Sequence, residues 1–197
     1  RAMAQFETCR TVLWAELGVE PVAETAVLQQ QIRDNTLISQ PQTIPLHHLP
    51  TDLTPFVGRE AELERITALL ADPESRLLTL VGPGGMGKTR LAVQAAHQIA
   101  TLSPTTIDAI YFVPLETAVS PQTAVFILAE KLGITLSVEG DPLPEVLHFL
   151  HGQNCLLLLD NLEQLDGAAT LVNTILQETT HVTILATSRE PLGLRRE

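Results

Sequence analysis

With 197 residues, 45% of them hydrophobic, the chain can bury a core of its own, while 4% aromatic content gives base stacking little support. A formal net charge of −11 argues against broad nucleic-acid contact by this segment, because phosphate neutralisation needs clustered Lys and Arg. No run reaches the roughly 18 apolar residues of a membrane span. There is no N-terminal leader pattern, and Cys9 and Cys155 lie far apart in apolar stretches, predicting buried thiols in the reducing cytoplasm.

Three zones follow from the punctuation. Residues 1–33 read as the helical first zone, a hairpin. Phe6, Cys9, Leu13, Trp14 and Leu17 recur at helical spacing before Gly18 and Pro21, and a second helix runs from about Val22 to Arg33. So short a hairpin needs a partner to cover it. Residues 34–54, with Pro41, Pro45 and Pro50, read as a linker. Its adjacent His47 and His48 point opposite ways on an extended chain, and His148 and His151 have no completing ligand set, so a histidine metal site is not expected.

Residues 55–197 alternate helix and strand, which predicts a mainly parallel α/β sheet. In order come helix Glu60–Leu70, strand Leu77–Val81, helix Lys88–Ala100, strand Ile107–Pro114 and a helix opened by Ser120 and Pro121 that runs to Leu132. Helix Pro142–His151, strand Cys155–Asp160, helix Gly167–Thr179 and strand Val182–Thr187 follow.

The strand Leu77–Val81 runs into Gly82-Pro83-Gly84-Gly85-Met86-Gly87-Lys88-Thr89 and then a helix, the phosphate-binding loop pattern G-x-x-x-x-G-K-[ST] in its required context. Backbone N–H groups from Gly82 to Arg90 are expected to curl around phosphates at the positive end of that helix. Lys88 then reaches the β- and γ-phosphates and the Thr89 hydroxyl ligates Mg²⁺. The bland reading is a glycine-rich turn without a ligand, which the full context of strand, loop, Lys-Thr and helix disfavours.

In open parallel sheets ligands bind beyond the carboxyl ends of the strands. Two further strands end there in polar groups: Asp160, Asn161 and Glu163 after one, Thr187, Ser188 and Arg189 after the other. Asp160 fits a Walker B acid holding Mg²⁺, its alternative being a helix cap. Arg189 is placed to meet a γ-phosphate and tell ATP from ADP, against a plain surface arginine. Glu163 is placed to polarise an attacking water, against a solvated helix-start acid.

Four ordered motifs, Phe56–Leu63 (FVGREAEL), Gly82–Ala92, Leu156–Glu163 (LLLLDNLE) and Ile184–Gly193 (ILATSREPLG), together resemble the signal-transduction ATPases with numerous domains. Among those they are most similar to the NB-ARC-like module of bacterial transcriptional regulators. Residues Gln5–Thr25 resemble the end of the tetratricopeptide-like activator domain of regulators of the antibiotic regulatory protein type. The resemblance implies a three-layer P-loop NTPase core, with Val57, Gly58 and Arg59 in the nucleotide pocket and Arg189 as the sensor arginine. It also implies ATP or ADP with Mg²⁺, intramolecular regulatory domains as partners and a nucleotide-dependent oligomer. Asn161 stands where many relatives carry a second acid, and the family's fifth strand, helical lid and winged helix fall beyond Glu197. The expected function is a slow ATPase used as a regulatory switch. The alternatives are a turnover NTPase such as a motor or kinase, or a scaffold with structural nucleotide. No Asn-Lys-x-Asp guanine reader is present.

Overall fold

In the computed structural model, which describes residues 46–47, 49–50, 56–102, 107–137 and 140–194, the apolar runs assemble into one parallel sheet. The strands are β1 (Leu46–His47), β2 (Leu77–Val81), β3 (Ala109–Pro114), β4 (Cys155–Asp160) and β5 (Val182–Ser188), in the spatial order β1-β3-β4-β5-β2. The helices are α1 (Glu60–Leu70), α2 (Lys88–Leu102), α3 (Pro121–Leu132), α4 (Leu143–His151) and α5 (Ala168–Glu178). A 3₁₀ turn, Leu162–Gln164, follows β4.

A parallel sheet needs cover on both faces, so its central strands read as unbroken apolar runs. All six residues of β4 are buried, and alternate side chains serve two cores. Cys155, Leu157 and Leu159 face a core with α3, α4 and α5, whereas Leu156 and Leu158 meet α1 and α2 through Ile66, Leu91 and Ile99. The three-layer α/β architecture expected from the sequence is thus present.

Local chemistry sets the element ends. The Ser120 hydroxyl accepts from the Thr123 amide at 3.2 Å and Pro121 opens α3, while Gly133 ends it at φ 72°. Arg76, just ahead of β2, donates to the carbonyls of Leu176 (3.0 Å) and Val182 (3.1 Å) and to the Thr179 hydroxyl (3.1 Å). That fork joins the start of β2 to the end of α5 and the start of β5.

The residues read as a linker require one correction. Leu46 and His47 form a short edge strand in parallel register with Ile110 and Tyr111. A two-residue strand is too short to show periodicity, and Pro45 and Pro50 on either side suit a sheet edge. The helical hairpin expected over residues 1–33 lies outside the described residues. No described helix is long and apolar enough to cross a membrane, and no described group of His, Cys, Asp and Glu could hold a metal on its own.

Candidate nucleotide site

Parallel pairing brings the carboxyl ends of β2, β4 and β5 to one edge, with Val81 opposite Ser188 and Leu159 opposite Ala186. The loop Gly82–Gly87 leaves β2 there, and α2 begins at Lys88. Gly85 and Gly87 adopt φ near 79° and 78°, conformations that a side chain makes costly. The first amides of a helix have no intrahelical acceptor, so the positive end of α2 adjoins the loop. The Lys88 ammonium lies inside the loop, donating to the carbonyls of Gly82 (2.7 Å) and Pro83 (3.1 Å). An ammonium has three donors, so these two contacts leave one for a further acceptor.

Below the loop lies a buried oxygen cluster. The hydroxyls of Thr89 and Thr187 both donate to Oδ1 of Asp160, at 2.7 and 2.6 Å, and Asp160 is only 6% exposed. The Thr187 hydroxyl also accepts the Asn161 amide at 3.0 Å. Asn161 is left-handed at φ 63°, a conformation that asparagine tolerates better than most residues. That backward turn starts the 3₁₀ segment and carries Glu163 towards β5. A hydroxyl and a carboxylate set side by side beneath a phosphate loop form the hard oxygen donor set that Mg²⁺ prefers, so these residues fit a Mg²⁺–nucleotide.

Sequence reasoning placed Thr187 on the strand end but gave it no task. It is fully buried, and it fixes both the acid and the turn after it. The signal was a hydroxyl following the buried run Ile184–Ala186, which in a buried setting must find partners.

Arg189 and Glu163 were expected to act separately, and the fold brings them together: Arg189 Nε donates to Glu163 Oε1 at 3.0 Å. The guanidinium lies over the loop, its Nη2 3.9 Å from where a Cβ on Gly84 would stand. Phe56 packs on the α1–α2 core, and the Arg90 guanidinium lies 5.8 Å from its ring centroid. Val57–Arg59 follow Phe56 in the chain and lead into α1. Val57 is exposed, and Gly58 and Arg59 are both left-handed, at φ 80° and 63°.

The profile of the AAA ATPase domain matches residues 55–185. The chain belongs to the AAA ATPase domain family. This AAA ATPase domain is 34% identical over 165 residues to an uncharacterised protein of Mycobacterium tuberculosis, covering 81% of this chain and 40% of that one. It is 32% identical to the regulatory protein AfsR of Streptomyces griseus, covering 95% of this chain but 21% of AfsR. The chain therefore spans well under half the length of these relatives. Among solved structures, the Aeropyrum pernix ORC1 protein in complex with DNA shares the fold at TM-score 0.57 and 22% identity, over 76% of this chain and 44% of that one. Cdc6p from Pyrobaculum aerophilum does so at TM-score 0.55 and 17% identity, over 73% and 41%.

Proposed function

We propose that this AAA ATPase domain is the ATP/ADP-binding switch of a multidomain transcriptional regulator of the AfsR kind, NB-ARC-like in its nucleotide module. The observation that carries the reading is the Thr89–Asp160 hydrogen bond of 2.7 Å, which sets the last residue of the loop motif against the acid ending β4. Lys88 and the loop amides hold the phosphates, Thr89 and Asp160 hold Mg²⁺, and Arg189 meets the γ-phosphate. Val57, Gly58 and Arg59 flank the base and sugar. Bound Mg²⁺–ATP supplies the phosphoanhydride and a charge that ADP lacks, and the domain's own residues read that difference.

Slow hydrolysis suits this role, because a switch must dwell in each state. Two features support it. Asn161 cannot take a proton from water as a carboxylate would, and Glu163 is engaged by Arg189. Regulatory domains of the same protein are the expected partners, in the cytoplasm, with a nucleotide-dependent oligomer. The acidic balance speaks against direct DNA contact by this domain.

The test is equilibrium binding of fluorescent ADP and of a non-hydrolysable ATP analogue, with and without Mg²⁺. Lys88→Ala is expected to weaken both by about a hundredfold, as charge-assisted phosphate contacts are lost. Unchanged affinity in Lys88→Ala sinks the proposal.

A further inference from the structure

We infer that Glu163 is a positioning residue, which aims the Arg189 guanidinium at the γ-phosphate place over the loop and so sets the preference for ATP over ADP. The inference rests on the reading of Arg189 given above.

Arg189 alone is poorly suited to that task. Its side chain is 60% exposed, and a long solvated arginine loses much rotamer freedom whenever it is held in one pose. Glu163 supplies the constraint. Its side chain is only 14% exposed, and its 3₁₀ turn is pinned by the buried Leu162 and by Leu165 behind it. The backbone that presents it is fixed in turn by the left-handed Asn161, whose amide is tied to Thr187. One end of the ion pair is therefore set by the core and the other is not.

The geometry of the pair leaves the arginine useful. Glu163 engages Nε alone, from the side, at 3.0 Å, so the two Nη groups remain for another acceptor. Nη2 already stands beside Gly84 in the phosphate loop. A phosphate oxygen there would take the fork without displacing the carboxylate. The carboxylate itself is badly placed for proton transfer. Oε1 is occupied by Arg189, and Oε2 is buried with no hydrogen-bond partner, shielded from solvent. Because ADP lacks the group that Arg189 meets, loss of Glu163 should weaken ATP alone.

The experiment measures Kd for Mg²⁺–ADP and for a Mg²⁺–ATP analogue that is not hydrolysed, using the full chain and its variants. Glu163→Ala should lower the preference for the ATP analogue about tenfold, the size expected of one charge-assisted contact, and leave ADP affinity unchanged. Glu163→Gln should keep part of the preference, because its amide oxygen still accepts from Nε. In an Arg189→Ala background, Glu163→Ala should change nothing further, the signature of two residues acting as one. Unaltered ADP affinity also shows that each variant is folded.

Two results overturn the inference. Wild-type preference in Glu163→Ala, with hydrolysis lost, makes Glu163 a base instead. A raised preference means that the ion pair competes with the phosphate. If the wild-type chain itself shows no preference that Arg189→Ala removes, the reading of Arg189 fails as well, an outcome distinct from either of these.

Discussion

The two halves of the candidate site are built on opposite plans. Buried Asp160 and Thr187 and half-buried Thr89 form a cluster bound by hydroxyl hydrogen bonds of 2.6–2.7 Å at the end of an apolar strand. Lys88 and Arg189 reach the site on long side chains, Lys88 from within the loop through the Gly82 and Pro83 carbonyls and Arg189 from an exposed position through Glu163. The first half is expensive to disturb and cheap to keep in register, since each buried polar group left without a partner costs its full desolvation. The second half is free to reorganise around a ligand. The proposed switch would use both, a fixed set of oxygens and side chains with room to move.

Substitutions in the two halves should therefore fail in different ways. The largest loss of stability is expected from Thr187→Val, which strips the buried Asp160 of one donor and takes the acceptor from the Asn161 amide. Chemical denaturation should register about 1–3 kcal/mol, with Thr187→Ser recovering most of it. Next comes Asn161→Val, about 1–2 kcal/mol, because a β-branched residue resists the left-handed conformation, while Asn161→Gly should be close to neutral. If Asn161→Val folds as stably as the wild type, the turn after β4 is not under the constraint described.

The far end of the same strand offers a control. Burial pushes the Cys155 thiol up to about 12 from 9.0, with Asp108 adding to the shift. Above pH 9 the unfolded chain releases a proton that the folded chain retains, so stability should fall as pH rises from 9 towards 12. Below pH 9 this thiol contributes no slope. Cys155→Ala should flatten that limb in a series of denaturation curves, and an unchanged slope would assign it to other groups. The smallest change in stability is expected from Lys88→Ala, within about 0.5 kcal/mol, although the proposed function expects the same substitution to weaken nucleotide binding about a hundredfold. A large loss there would mean that the loop lysine is as structural as the Asp160 cluster.

Much of this was legible beforehand, for identifiable reasons. CLLLLD from Cys155 to Asp160 could only be a strand covered on both faces, and the loop motif fixed what lay at its carboxyl end. Ser120 and Pro121 marked the start of α3 by local chemistry alone. What sequence could not supply was pairing across the sheet. Thr187 meets Asp160 over 27 positions and Arg189 meets Glu163 over 26, and neither spacing leaves a local trace. The strand Leu46–His47 was hidden for the opposite reason, being too brief for any period to show.

The fork of Arg76 has a mechanical consequence. It rivets the foot of β2 to the Leu176 and Val182 carbonyls, at the end of the strand remote from the phosphate loop. A ribbon fastened at its foot can tilt or flex at its tip, but it cannot slide lengthwise against its neighbour. At the other end of the loop begins α2, the longest of the described elements, whose first turn touches Phe56 through Arg90.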